Sequence, residues 1–573
     1  MAARQRSLSS SIARLHGDER TVGSPLNDAE QRAMRRTRMF GATGTVLMAI
    51  GALGAGARPV VQDPTFGVRL LNLPSRIQTV SLTMTTTGAV MMALAWLMLG
   101  RFALGSRRMS RSQLDHTLLL WIVPLLIAPP MYSKDVYSYL AQSQIARNGL
   151  NPYQVGPAPG LGLDHVFTLS VPSLWRETPA PYGPLFLWVG RGISALTGED
   201  IVAAVLIHRV VVLIGVGMIV WAVPRLARRC GVAEVSALWL GAANPLLLMH
   251  LVAGIHNEAL MLGLMLTGTE FALRGVEAAR PLVPRPLQWP RDRDQWAAWT
   301  PLTMLIVGAV LITLSSQVKL PGLLALGFVG MALAHRWGTS FKAFIGATTL
   351  MTALSLAVMA LVGWASGLGF GWIFTLGTAN VVRSWMSPPT LVALGTGQVG
   401  ILLGLGDHTT AVLSLTRAMG VLIIMITVTW LLLAVFRGRL HPVGGLGVAL
   451  GATVLLFPVV QPWYLLWAII PLAAWATRPG FRIATIAVTL VVGIFGPTAN
   501  GDRFALFQIL DATLASLVIV LLLIAVTFNH LPWRKVPGTS ETFSGQDPDP
   551  LPTQPPEEPP APRPAPGAYA ESP

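Results

Sequence analysis

Apolar runs near membrane-spanning length recur along this chain, each ended by a short polar stretch. A spanning helix needs roughly 20 apolar residues, with a range of about 17–25. On that measure the pattern predicts fourteen spans: 40–57, 78–100, 116–131, 201–223, 235–252, 258–273, 298–315, 319–334, 343–363, 409–436, 443–458, 463–477, 482–496 and 505–528. Several are short, and these are expected to be tilted, broken or half-buried. Residues 182–197 (YGPLFLWVGRGISALT) are also apolar, but counting them as a span would invert every later loop. They read instead as an amphipathic helix lying on the outer surface. The stretch 364–406 reads as a second outer segment, with a short re-entrant helix at 390–404. The expected fold is therefore an all-α polytopic membrane protein of about fourteen helices with outer juxtamembrane helices. No internal repeat is apparent, which weighs against transporter folds built from inverted repeats.

Composition agrees with lipid as the main solvent. Of 573 residues, 53% are hydrophobic and 12% charged, where soluble domains carry about 25% charged residues. The formal net charge of +15 raises the question of nucleic acid. The positions of the basic residues answer it. With Arg32, Arg35, Arg36 and Arg38 placed inside, every second loop is basic. These loops hold Arg101, Arg107, Arg108 and Arg111; Arg225, Arg228 and Arg229; Arg280, Arg285, Arg291 and Arg293; Arg336 and Lys342; Arg437 and Arg439; Arg478 and Arg482; Arg534 and Lys535. Such regularity is the positive-inside bias of an inner (plasma) membrane protein with both termini cytoplasmic, and nucleic acid is not a partner. The lone cysteine, Cys230, excludes an internal disulfide and a cysteine-based zinc site. The N-terminus lacks the apolar core of a cleavable signal, so the first spans are expected to direct insertion.

The resulting organisation is a cytoplasmic segment 1–39, a transmembrane hairpin 40–100, a membrane core 101–363 with an outer loop 132–200, a C-terminal membrane region 364–535, and a tail 536–573. The tail (DPDPLPTQPPEEPPAPRPAPG) is too rich in Pro, Glu and Ser to bury a core and is expected to be disordered.

The chemistry concentrates in the outer loop. After Pro129-Pro130 comes MYSKDVYSYLAQSQIARNGLNPYQVGP, in which Asp135 stands a few residues from the hydrocarbon edge. Residues 135–147 fit an amphipathic helix closed by Asn148-Gly149. Tyr137, Tyr139, Asn151, Tyr153 and Tyr182 surround that carboxylate with aromatic faces and amides, which suit the C–H face and hydroxyls of a sugar. The competing reading makes the aromatics an interfacial belt and Asp135 a helix N-cap. The turn Gly254-Ile255-His256-Asn257-Glu258 places three polar groups at a membrane boundary on the same side, where a capped, solvated turn is the plainer reading. Lys319 and Arg383 are outward cations that positive-inside bias does not explain. They suit a phosphate leaving group, or they snorkel to lipid head groups. Gln461 and Trp463 form another outer turn. His250, His256 and Glu258 lack the HExxH spacing of a metal site. Asp292-Arg293-Asp294 has D-x-D spacing, but it lies in a basic cytoplasmic loop with no nucleotide-binding fold around it and reads as solvated charge.

Lys134-Asp135-Val136-Tyr137-Ser138-Tyr139, Asn151-Pro152-Tyr153 and the Tyr182-Gly183-Pro184 helix together resemble the GT-C glycosyltransferases that use polyprenyl-phosphate sugars. Within these, the chain resembles the actinobacterial MptB-type alpha-1,6-mannosyltransferases. The resemblance covers most of the membrane region and implies that Asp135 is the acidic residue of the outer loop, flanked by Lys134 where some relatives carry a second acid. It further implies a polyprenyl-phosphate-mannose donor, a lipid-linked mannan acceptor at the outer leaflet (the lipomannan backbone), and inversion at the anomeric centre with Asp135 as general base. No cofactor is called for; a divalent metal is compatible with the loop, but nothing in it indicates one. A transferase of another sugar (arabinose or glucose), a lipid-linked-sugar transporter and a purely structural membrane subunit are the rival readings. The transporter reading predicts charged residues lining a mid-bilayer path, for which His208, Arg209 and Arg417 are the few candidates.

Overall fold

The computed structural model describes residues 12–17, 19, 23–279, 293–378, 382–496 and 504–528. Arg280, Arg285, Arg291 and Asp292 of the basic loop, Arg534, Lys535 and the Pro-rich tail lie outside these residues. The helices are α1 (Asp28–Ala55), α2 (Arg69–Arg76), α3 (Gln78–Leu104), α4 (Arg111–Ile122), α5 (Asp135–Arg147), α6 (Pro184–Thr197), α7 (Ile201–Arg229), α8 (Glu234–Gly241) and α9 (Glu258–Ala278). They continue with α10 (Arg293–Ser316), α11 (Leu324–Arg336), α12 (Phe341–Ser366), α13 (Pro388–Leu402), α14 (Thr409–Phe436), α15 (Pro442–Leu456), α16 (Leu465–Ala473), α17 (Pro479–Phe495) and α18 (Leu506–Phe528). The departure from all-helical structure among the described residues is a parallel two-residue bridge, Ser24–Pro25 with Arg107–Arg108.

Seven of these helices (α1, α3, α7, α9, α12, α14 and α18) are long and apolar enough to cross a membrane, and five shorter apolar helices accompany them. The chain is therefore a multi-pass membrane protein. α9 is the most enclosed, with 83% of its apolar window buried, against 22% for α14 and α18, which form the periphery. Two expected spans are not continuous helices. In 116–131, α4 stops at Ile122 and a 3-10 turn, Val123–Leu126, follows because Pro124 cannot continue the α-helical ladder. In 235–252, α8 ends at Gly241, the Asn244 side chain accepts from the Leu246 N–H, and Leu247–Ala253 winds as π-helix. Hydrophobicity alone cannot separate such pieces from a straight span. The apolar segment at 182–197 forms α6, whose 14 residues are too few to cross. The helix expected at 390–404 is α13.

Small residues bring the first helices together. A Cβ on Gly88 of α3 would lie 2.3 Å from the Gly44 carbonyl oxygen of α1, so these backbones touch. Trp96 of α3 and Trp239 of α8 stack at 5.0 Å, and each indole N–H donates to the other's backbone carbonyl at 2.8 Å. α18 lies on α3, where the Ser516 hydroxyl donates to the Thr83 carbonyl at 3.0 Å and accepts from Thr87 at 3.1 Å.

Polar contacts separate into two ends. At one end, Glu19 bonds Arg108 and Arg482, Glu234 pairs with Arg111 and Arg228, and Glu270 pairs with Arg229 and Arg274. All of these arginines but Arg274, which lies in the last turns of α9, belong to the groups that the sequence assigned to one face. The groups around Asp135 gather at the opposite helix ends.

Candidate active site

The entry to α5 keeps Asp135 out of the capping position. Lys134 occupies the N-cap position and makes no side-chain cap bond. Instead the Asp135 N–H donates to Ser133 Oγ at 3.0 Å. Asp135 is thus the first helical residue and not the cap. Two residues before Ser133, the Met131 N–H donates to the Ala253 carbonyl at 3.0 Å, which ties this loop to the end of the π-helical segment. Tyr132 and Ile255, one on each joined strand of chain, are left-handed, with φ of +67° and +57°. For a β-branched residue such as Ile255 that conformation is strained, at a cost of order 1–3 kcal/mol. Strain of this kind survives where surrounding contacts over-determine the backbone.

Four segments meet at this point. His256 Nε2 lies 3.6 Å from Asp135 Oδ2. The His256 ring stacks on Trp463 at 3.7 Å, and its Nδ1 is 2.7 Å from the His250 carbonyl. Glu258, the first residue of α9, is ion-paired with Lys319 and accepts from the Trp463 indole at 3.1 Å. Lys319 also donates to the Tyr464 hydroxyl at 3.0 Å and stands 4.3 Å above that ring. His256, Asn257 and Glu258 are fully buried, while Asp135 and Lys319 keep 25% and 18% of their side chains exposed. The site therefore opens on these two groups.

Electrostatics follow from the packing. Burial pushes the Asp135 carboxyl above the usual carboxylate range; His256 when protonated, Lys319 and a hydrogen bond from the Ser133 hydroxyl pull it down, and Glu258 pushes it up. Burial pushes the Lys319 ammonium down, but Glu258 and Tyr464 outweigh it and hold the group above the ordinary lysine value. Several buried polar atoms here lack a protein hydrogen bond: both amide atoms of Asn257, Glu258 Oε2, Gln317 Oε1 and His256 Nε2. Such atoms are costly unless a ligand or water meets them. Among the described residues, no group of three or more His, Cys, Asp or Glu side chains is arranged to hold a metal ion.

The other expected site residues divide. Tyr139 packs edge-on against Tyr182 at 5.1 Å, behind the carboxylate. Tyr137 turns away, and its hydroxyl donates to the Ala57 carbonyl at 2.6 Å. The Tyr153 hydroxyl donates to the Tyr182 carbonyl at 3.0 Å, and Asn151 accepts from the Tyr153 N–H at 2.9 Å, so both brace the loop. Gln461 is half-buried at the head of the Pro462–Tyr464 turn, beside Trp463. Arg383 is exposed and lies in the field of Asp407 and Arg417, and its neighbour Ser384 bonds the Val460 carbonyl. α5 itself is not a surface helix: Val136 through Ala146 are buried under α6 and the short helices Pro157–Leu161 and Val166–Ser170. His208 and Arg209 are buried, and Arg209 donates to the Leu126 carbonyl at 2.5 Å, where the broken span ends.

Sequence reasoning missed Gln317 and Ser133 as parts of this region. The Gln317 carbonyl accepts from the Leu185 N–H at 3.1 Å and so seats the start of α6. Its sequence signal was a polar residue at the end of an apolar run, in SSQVK.

Comparison with known proteins adds to this geometry. The family model described as alpha-(1->6)-mannopyranosyltransferase, N-terminal domain, matches residues 38–335, and the MptB C-terminal domain model matches 389–525. A probable alpha-(1->6)-mannopyranosyltransferase of Mycolicibacterium smegmatis is 79% identical over 100% of both chains. An alpha-(1->6)-mannopyranosyltransferase of Mycobacterium tuberculosis is 74% identical over 93% of this chain and 94% of its own. An archaeal oligosaccharyltransferase from Archaeoglobus fulgidus, solved with an inhibitory peptide and a dolichol-phosphate, aligns with 66% of this chain and 51% of that one. The TM-score is 0.33 at 12% identity, too loose a likeness to bear on the fold.

Proposed function

We propose that this chain, which belongs to the alpha-(1->6)-mannopyranosyltransferase family, moves mannose from polyprenyl-phosphate-mannose to a lipid-linked mannan at the outer leaflet of the inner (plasma) membrane. It is a glycosyltransferase of mannose-transferring type. The finer reading adds an alpha-1,6 linkage in a lipomannan backbone, a GT-C architecture, an outward-facing site and cytoplasmic termini. The observation that carries it is the Asp135 carboxylate: released from capping, a quarter exposed, and set among buried polar atoms that have no protein partner.

In this reading the acceptor hydroxyl reaches Asp135, which takes its proton as the oxygen attacks the anomeric carbon from the face opposite the phosphate. A general base contributes about 10²–10⁴-fold when its oxygen lies roughly 2.6–3.2 Å from that hydroxyl. The unpartnered Asn257 amide and Gln317 Oε1 supply hydrogen bonds to sugar hydroxyls. Trp463 offers an indole edge at the same place. Lys319 is held by Glu258, so it reaches the departing phosphate as a hydrogen-bond donor within a neutral pair rather than as a free cation. Arg383, being exposed, is left to meet lipid head groups.

The test is direct. Purified protein is incubated with labelled polyprenyl-phospho-mannose and a short mannoside, and the product linkage is mapped. A new alpha-1,6 mannose that disappears in Asp135→Asn supports the reading. Transfer only from an arabinose or glucose donor would replace the sugar, and lipid translocation without transfer would replace the reaction.

A further inference from the structure

The position of His256 fixes where its hydrogen lies. Its Nδ1 is 2.7 Å from the His250 carbonyl. A carbonyl only accepts, so Nδ1 carries a hydrogen, and in the neutral form of the ring Nε2 is bare. That nitrogen faces Asp135 Oδ2 at 3.6 Å and has no hydrogen-bond partner although the ring is fully buried. An N–H···O bond would close to about 2.7–3.2 Å. The gap is longer than a hydrogen bond, as it would be between two acceptors.

One proton placed between them changes its character. Two facing lone pairs become a charge-assisted hydrogen bond, typically about 2.7–2.9 Å long. We propose that His256 is a positioning residue acting through Asp135, so that the two form one proton-accepting unit. This deepens the glycosyl-transfer reading above and rests on it. The acceptor O–H bond breaks as its oxygen bonds the anomeric carbon. The carbon–oxygen bond to phosphate breaks with its electron pair leaving on the phosphate. The proton settles on Asp135 Oδ2 and is shared with His256 Nε2, then passes to water when product leaves. The hydrogen bond between the two side chains is absent before the reaction and forms during it, and only an interaction that strengthens toward the transition state raises kcat.

The surroundings suit this role. Trp463, stacked at 3.7 Å, holds the ring plane and accepts partial positive charge on it. Left-handed Ile255 sets the ring's approach. The titratable groups facing the pair are Glu258 and Lys319, which pair with each other, His250 on the π-helical segment, Tyr464 on its turn, and Tyr139 and Tyr182 behind Asp135.

Nitrogen NMR of the full-length, histidine-labelled protein in lipid nanodiscs tests the proton position without turnover. The His256 signal is assigned by its loss in His256→Gln or, should that variant not fold, His256→Asn. A protonated Nδ1 with a bare Nε2 near neutral pH is expected; a doubly protonated ring or the opposite tautomer overturns the proposal. In mannosyl transfer, His256→Gln should lower kcat roughly 10–100-fold, part of a general base's contribution, with KM little changed. The acid limb of its pH profile should move to lower pH, because an amide oxygen is a far weaker acceptor for the carboxyl proton than imidazole Nε2. An unchanged kcat, or a limb moving upward as loss of a cationic neighbour would cause, refutes it. Absence of mannosyl transfer in the wild type counts against the substrate reading, while the NMR result still decides the proton position.

Discussion

Replacing Glu258 with Gln tests how the charges at the site are balanced. Glu258 is fully buried and is the ionic partner of Lys319. Removing its charge leaves the ammonium in a wall of protein with 18% of its side chain exposed. Breaking a buried pair by removing one member costs about 3–5 kcal/mol. Lys319 would keep the Tyr464 hydroxyl at 3.0 Å and that ring's face at 4.3 Å, which places the expected loss near the lower end of that range. The sign for the lysine follows as well: with Glu258 neutral, burial prevails and Lys319 gives up its proton at lower pH than in the wild type. The measurement is a double-mutant cycle of Glu258→Gln, Lys319→Met and the pair, by unfolding in one detergent. Each single variant should melt well below wild type, and the double should recover much of the loss, since the orphaned charge is gone. If Glu258→Gln costs less than about 0.5 kcal/mol and the cycle closes without coupling, the two groups do not support each other.

Three further outcomes are expected. Because Asp135 must be ionised to accept a proton and burial raises its pKa, kcat/KM should fall on the acid side at a pH above the ordinary carboxylate range; a limb near pH 4 would assign the base elsewhere. Gly183→Ala would put a Cβ 2.1 Å from the Gln317 carbonyl oxygen, so the start of α6 must move and transfer should drop at least tenfold, about 1.4 kcal/mol of barrier, with the protein still inserted. Tyr137→Phe removes only a hydroxyl bonded to Ala57, so it should cost about 1 kcal/mol of stability and leave KM for the donor unchanged, whereas a sugar-binding Tyr137 would raise KM.

Much of the bundle was legible because lipid imposes a simple rule on residue pattern. The run 409–436 became α14 at the same residues, and 505–528 differs from α18 by one residue at its start. The two broken spans were not legible: their breaks depend on Pro124 and on the Asn244 side chain, not on apolarity. At the site, the sequence drew attention to Asp135, His256, Glu258, Lys319 and Trp463 separately, as polar or aromatic residues at membrane edges. That they meet is a product of tertiary packing between segments up to 328 positions apart, which no local pattern encodes. Arg383, an outward cation near the same boundary, is exposed and lies within the field of Asp407. Tyr137 and Tyr139 differ by two positions and face different neighbours, a distinction set by what packs on α5.

The place of α3 has a consequence for how the molecule is made. This helix emerges early, yet its clasp with Trp239 waits for a residue synthesised 143 positions later, and its cover, Ser516 on α18, arrives near the end of translation. The order of synthesis is therefore not the order of closure. The Trp96 indole waits for Trp239, while Thr83 and Thr87 wait for α18, so the bundle is sealed only when its last described helix is inserted. A chain truncated before α18 would leave that seam open.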